Sequence, residues 1–218
     1  MFKIKICGIT KPDDAAQSVP IGADAIGLNF YEKSSRFVSD DEASEIIAAT
    51  SGRAACVGVF VNSTVEEIQK RMLLPLTHVQ LHGDESPEMV SELSDWPVIR
   101  AIRLQPEADD QQAIEAANAE IRKWTGAGVV AVLLDAAAPR HYGGTGTKLS
   151  WPLVSQLECS VPIILAGGLT GENVSAAIAT AAPHAVDVAS GVESEPGTKD
   201  LACVRLFIEQ AKAAFRIN

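Results

Sequence analysis

The run Lys3-Ile4-Lys5-Ile6-Cys7, closed by Gly8, decides the reading of the fold. Its residues alternate. Ile4 and Ile6 share one face, and Lys3, Lys5 and Cys7 share the other. Such a run ended by glycine reads as a short strand. If one side of its sheet is covered by helices, Ile4 and Ile6 pack there. Lys5 and Cys7 then turn to the opposite side, with Cys7 at the strand's C-terminal end.

Seven more strand-length apolar runs follow. They span Ala23–Phe30, Ala55–Val61, His78–His82, Val98–Arg103, Val129–Asp135, Pro162–Gly167 and Ala185–Ser190. Helix signals lie between them. Thr10 to Asp13 reads as an N-cap with Pro12 in the first turn. Ser39 with Glu42, and Thr64 with Glu67, fit capping boxes. Ile114, Ala117, Ile121 and Trp124 recur at helical spacing, as do Leu201, Val204, Ile208, Ala211 and Phe215.

Alternating strands and helices demand a parallel sheet with covered faces. Eight such units in 218 residues predict an α/β fold, a single-domain (β/α)8 TIM barrel over 1–218 with no linker. The rival is an open doubly wound sheet. Its fingerprint is G-x-G-x-x-G after the first strand, and Cys7-Gly8-Ile9-Thr10 is not that. Strand parity adds a functional expectation. In the fourth run Val79 and Leu81 oppose His78, Gln80 and His82, Asp135 ends the sixth, and Asp187 sits in the eighth. With Lys5 and Cys7, polar residues gather where strands end, where this fold builds active sites.

Composition bounds the partners. The chain is 47% hydrophobic and 21% charged, with a net charge of −10. That balance argues against nucleic acid and anionic membrane, which select basic surfaces. A small anionic ligand needs only a locally positive pocket. Cys7, Cys56, Cys159 and Cys203 show no metal-type spacing and are too few for a disulfide scaffold. No run of about 18 apolar residues occurs, and no signal peptide is recognisable. A cytoplasmic protein is expected, with no metal and no cofactor. It is expected to be a monomer, with a weak dimer as the alternative.

Cys7 reads as a base or nucleophile at the mouth, or as a buried structural thiol. Lys5 on the same face is expected to lower its pKa. Asp135 ends an apolar strand, and reads as a general acid or as a loop anchor. Asp187 is expected to pair with Lys5 in a structural role. Glycines cluster after three successive strands: Gly143, Gly144 and Gly146, then Gly167 and Gly168, then Gly191 beside Ser190. Small residues let backbone N–H groups approach a phosphate, and barrels often hold phosphate after strands seven and eight. Gly-Gly-Thr-Gly-Thr-Lys at 143–148 is not a P-loop, since Thr147 stands before Lys148. Arg36 in a loop suits a carboxylate or is a solvated arginine. His82 and Arg103 at strand ends face ligand or serve structure.

These residues together resemble the phosphoribosylanthranilate isomerase family of tryptophan biosynthesis. The resemblance runs in order through K-I-C-G-I-T (5–10), S-R-F (35–37), V-Q-L-H-G (79–83) and L-L-D (133–135). It continues through G-G-T-G (143–146), L-A-G-G-L (165–169), V-A-S-G-V-E (188–193) and P-G-T-K-D (196–200). It implies a cofactor-free, metal-free (β/α)8 barrel that performs an Amadori rearrangement. By motif, Asp135 is the acid that protonates the furanose ring oxygen and Cys7 the base that removes the C2 proton. Arg36 holds the anthranilate carboxylate. The glycine loops and Ser190 hold phosphate. The chain departs from the family pattern at Lys148-Leu149-Ser150 before Trp151, and at Ala189, where serine is common. The alternatives are another phosphosugar barrel, such as the histidine-pathway aminoaldose isomerase or indole-glycerol-phosphate synthase, or a non-catalytic phosphoribosyl-binding module.

Overall fold

The computed structural model describes residues 1–104, 110–136 and 151–217. Eight parallel strands close into a barrel: β1 (Ile4–Cys7), β2 (Ala25–Asn29), β3 (Ala55–Phe60), β4 (His78–Leu81), β5 (Val98–Leu104), β6 (Ala131–Ala136), β7 (Ile163–Leu165) and β8 (Ala185–Val188). β8 pairs back onto β1, with Lys5 opposite Asp187. The helices are α1 (Pro12–Ile21), α2 (Asp40–Ala49), α3 (Val65–Arg71), α4 (Met89–Glu92), α5 (Asp110–Ala127), α6 (Trp151–Val154), α7 (Val174–Ala181) and α8 (Leu201–Ile217).

Strand parity sorts two cores. Ile4, Ile6, Val79, Leu81, Val132, Leu134, Val186 and Val188 pack outward with the helices. Phe2, Ala25, Val57, Ile99, Ala101, Leu133 and Ile164 fill the barrel interior. Each fully buried Ile, Leu or Val contributes roughly 1.5–3 kcal/mol. A one-residue slip of any strand would exchange its two faces, so this burial fixes the register. Lys5, Gln80, Asp135 and Asp187 are therefore held inside by their neighbours, against the cost of burying polar groups.

Two helix starts follow the sequence. Ser39 and Thr64 accept from the backbone of Glu42 and Glu67, whose side chains bond back to Ser39 and Thr64. Each cap contributes about 1 kcal/mol. The start of α1 differs. Its N-cap is Lys11, with no side-chain cap, and Pro12 follows directly. Thr10 instead donates its hydroxyl to the Gly197 carbonyl at 2.5 Å. That bond ties the β1–α1 loop to a hairpin the sequence reading did not anticipate. The hairpin, β9 (Glu193–Glu195) and β10 (Thr198–Lys199), follows a single 3₁₀ turn at Ser190–Val192. The amide of Lys199 donates to Asp14 at 3.1 Å, a second tie to the same region.

Candidate active site

The C-terminal mouth of the barrel holds a cleft. Cys7, Gly8, Asn29, Arg36, His82, Asp135, Gly167, Gly168, Asp187, Ser190 and Gly191 are among its lining residues. Eight of the predicted site residues thus meet in one place: Cys7, Asp135, Arg36, His82, Gly167, Gly168, Ser190 and Gly191. Gly144 and Gly146 lie outside the described residues. Arg103 does not line the cleft. It lines a separate groove beside α5, and its Nη2 donates to the His82 carbonyl at 2.7 Å.

Cys7 ends β1, facing inward and part-buried. Lys5 lies below it, fully buried, with its Nζ donating to Asp187 at 2.9 Å. Burial works to strip the Lys5 proton, but Asp187 and Cys7 outweigh it and hold the ammonium above its ordinary pKa. The Cys7 thiol goes the other way from the sequence expectation. Burial pushes its pKa up, and the lowering pull of Lys5 does not overcome it. Lys5 does favour the thiolate, but desolvation is the stronger effect. Gly27 on β2 leaves room for both side chains. A Cβ there would stand 2.6 Å from the Cys7 sulfur and 3.1 Å from the Lys5 nitrogen.

Asp135 faces inward near the end of β6, opposite Arg103 on β5. Its Oδ2 lies 3.4 Å from Nε2 of His82. The other ring nitrogen of His82 lies 3.0 Å from the Gln80 amide nitrogen. Gly167 and Gly168 turn at φ 81° and 66°, values that favour glycine, at the end of β7. Beyond β8, a Cβ on Gly191 would collide with the Leu169 carbonyl, so only glycine lets the two phosphate-type loops meet.

Arg36 does not stand free. It makes a two-bond fork to Glu193, Nε to Oε1 at 2.8 Å and Nη2 to Oε2 at 2.6 Å. Lys199 donates to the same Glu193 at 2.8 Å and to the Cys7 carbonyl at 2.6 Å. Arg36 and Lys199 hold the Glu193 carboxyl below its usual range, against the opposing effect of burial. Nη1 of Arg36 makes no bond among the described residues, so the guanidinium keeps one edge for a carboxylate. Glu193 and Lys199 were missed as partners. Their motifs were visible, but nothing local linked them to Arg36. Glu85 and Arg100 were missed too. They pair at 2.6 Å, and Glu85 also accepts from the amides of Asn62 and Gly83, bracing the ends of β3 and β4.

Among the described residues, no group of three His, Cys, Asp or Glu side chains could hold a metal ion, and no helix is long and apolar enough to cross a membrane.

A family model described as N-(5'phosphoribosyl)anthranilate (PRA) isomerase matches residues 4–210. The N-(5'-phosphoribosyl)anthranilate isomerase of Geobacter sulfurreducens is 43% identical over 215 residues, 97% of this chain and 99% of that protein. The crystal structure of phosphoribosyl anthranilate isomerase from Thermotoga maritima superposes with a TM-score of 0.82 at 36% identity, covering 98% of this chain and 100% of the other. A structure of such an isomerase in complex with reduced 1-(o-carboxyphenylamino)-1-deoxyribulose 5-phosphate gives a TM-score of 0.78 at 35% identity, with the same coverage. With the family model spanning nearly the whole barrel and the relatives matching end to end, the chain belongs to the N-(5'-phosphoribosyl)anthranilate isomerase family.

Proposed function

We propose that Asp135 and Cys7 divide the proton transfers of the family's reaction between them. That reaction is the Amadori rearrangement of N-(5-phosphoribosyl)anthranilate to 1-(2-carboxyphenylamino)-1-deoxyribulose 5-phosphate, a step of tryptophan biosynthesis. Protonated Asp135 gives its proton to the furanose ring oxygen. The C1–O bond breaks, and C1 becomes an iminium joined to the anthranilate nitrogen. The Cys7 thiolate then takes the C2 proton, leaving an enolamine that gains a proton at C1 and loses one from the C2 hydroxyl to give the ketone. The observation that carries this reading is the placement of Cys7 and Asp135. Both turn inward at strand ends of one cleft, beside the glycine turns after β7 and β8.

The remaining parts follow from charge and space. The phosphate is held by Gly167, Gly168, Ser190 and Gly191, whose small side chains let backbone N–H groups approach it. Gly144 and Gly146 complete that shell in this reading. The open edge of Arg36 takes the anthranilate carboxylate, with Glu193 fixing the guanidinium plane. Lys5 and Lys199 favour the thiolate of Cys7 that removal of the C2 proton requires. His82 and Arg103 act beside Asp135 rather than on the far end of the substrate. We read the active unit as a cytoplasmic monomer.

The test is a fluorescence assay with substrate formed in place from anthranilate and phosphoribosyl pyrophosphate by a separate transferase. Folded Cys7→Ser and Asp135→Asn are each expected to lose roughly 10²–10⁴-fold in kcat. Wild-type turnover by either variant would remove that residue from its role.

A further inference from the structure

Gln80 is an expensive residue for the place it occupies. It is fully buried inside the barrel, on β4 between Val59 of β3 and Ile99 of β5. Its Oε1 has no hydrogen-bond partner among the described residues. Its Nε2 meets Nδ1 of His82 at 3.0 Å. Packing alone would be better served by an apolar side chain of similar shape, because a buried polar atom with an unmade bond is destabilising. Among the described residues, the one polar contact of the Gln80 side chain is with the ring that faces Asp135.

That contact decides where the histidine proton sits. An amide N–H pointed at Nδ1 needs a lone pair there, so the proton of the neutral ring goes to Nε2. Nε2 is buried, has no hydrogen-bond partner of good geometry among the described residues, and lies 3.4 Å from Oδ2 of Asp135. The reverse amide orientation would place the proton on Nδ1. It would then turn the Nε2 lone pair toward the carboxyl and leave no donor there for the negative charge that develops when Asp135 gives up its proton.

We propose that Gln80 is a positioning residue for the isomerisation: it fixes the neutral Nε2–H form of His82, which donates to Asp135 as that group releases its proton to the ring oxygen. The proposal rests on the acid role of Asp135 given above. The His82–Asp135 contact is weak while the carboxyl keeps its proton and strengthens as negative charge develops, so it acts on the transition state rather than on substrate binding. At 3.4 Å the contact is long, as catalytic hydrogen bonds often are before substrate tightens them. An amide suits the position better than a carboxylate. A glutamate at 80 would draw a second proton onto the ring, and the resulting imidazolium would hold Asp135 ionised before substrate arrives.

The test begins on the wild type, so it does not depend on a variant folding. Nitrogen-15 NMR of the labelled histidines reads the tautomer of His82, assigned by the signal missing in His82→Asn. The Nε2–H form is expected. In Gln80→Met the ring is expected to populate both tautomers, with kcat down about 10-fold and KM within twofold, the cost of losing about one hydrogen bond. In Gln80→Glu the ring is expected to be doubly protonated at neutral pH. Within the Asp135→Asn background, Gln80→Met is expected to cost nothing further, because Gln80 acts through Asp135. An Nδ1–H ring in the wild type, or a Gln80→Met enzyme with unchanged tautomer and unchanged kcat, overturns the proposal. Full turnover by Asp135→Asn would instead overturn the acid assignment and the role built on it. That failure is distinct, because the tautomer of His82 would still follow Gln80.

Discussion

Replacing Lys5 with methionine measures how strongly the buried ammonium acts on the proposed base. The sulfur of Cys7 and the nitrogen of Lys5 lie 2.6 Å and 3.1 Å from one common point, the Cβ position of Gly27, so they are at most 5.7 Å apart. At an effective dielectric of about 20, unit charges at that separation interact by about 3 kcal/mol, or about two pH units of titration midpoint. The sign is fixed. Lys5 lowers the thiol pKa, so its loss raises a midpoint that burial already holds above the ordinary cysteine value. The assay is alkylation of Cys7 by iodoacetamide as a function of pH, read on the Cys7 peptide by mass spectrometry because the chain has four cysteines. Less thiolate at neutral pH also lowers turnover, by up to about 10²-fold for a two-unit displacement. The single variant strands Asp187, whose side chain is 8% exposed, without its partner, at a cost of about 3–5 kcal/mol. The double variant Lys5→Met/Asp187→Leu avoids that penalty. It also removes the opposing pull of Asp187, which is smaller than that of Lys5, so its midpoint still rises, though by less. A folded Lys5→Met enzyme whose Cys7 midpoint moves by less than about half a unit would refute the reasoning.

Gly27→Ala is expected to keep the fold but displace the Cys7 sulfur, because the new methyl would stand at 2.6 Å where ordinary contact begins at 3.4 Å. Misplacement approaching 1 Å costs about 10²-fold in kcat, and a variant within twofold of wild type would show that the sulfur has slack. Glu85→Ala is expected to destabilise by about 3–5 kcal/mol in chemical denaturation, since it leaves Arg100 buried without its carboxylate and strips the amides of Asn62 and Gly83. A loss under about 1 kcal/mol would mean that the β3 and β4 ends are braced by something else.

The barrel was legible because its signal repeats. Ile4 and Ile6 against Lys5 and Cys7, then Val79 and Leu81 against Gln80 and His82, state the same alternation, and burial enforces it on each strand. The inward pointing of Cys7 and Asp135 follows from that parity alone, and so does the pairing of Lys5 with Asp187 once β1 meets β8. What escaped the sequence was contact between distant segments and competition between opposed forces. Arg36 and Glu193 are 157 residues apart, and no local pattern joins them. Thr10 has the chemistry of a cap, but a carbonyl 187 residues away took its hydroxyl and left the cap to Lys11. For Cys7 the sequence showed the helpful cation but not the depth of burial. The balance between the two, not the presence of either, sets the thiol's pKa.

The partners of the acidic groups around the mouth favour Asp135 over its neighbours for the acid role proposed above. Asp187 is bound to the ammonium of Lys5. Glu193 is shared by Arg36 and Lys199, and Glu85 by Arg100 and two backbone amides. Arg36 and Lys199 hold the Glu193 carboxyl below its usual range against burial, which makes it a poor proton donor. Asp135 differs. Its Oδ2 faces Nε2 of His82, whose other ring nitrogen meets the Gln80 amide. In the proposed tautomer this ring is a neutral donor, which rewards departure of the carboxyl proton with a hydrogen bond. The same logic separates the two ends of the reaction. Cys7 has ammonium groups near it, which favour the anion a base must be, and Asp135 has a neutral donor, which suits an acid that must be reloaded each turnover. Placing a fixed cation at position 82, as in His82→Lys, should therefore cost the acid step while leaving the thiolate chemistry of Cys7 intact.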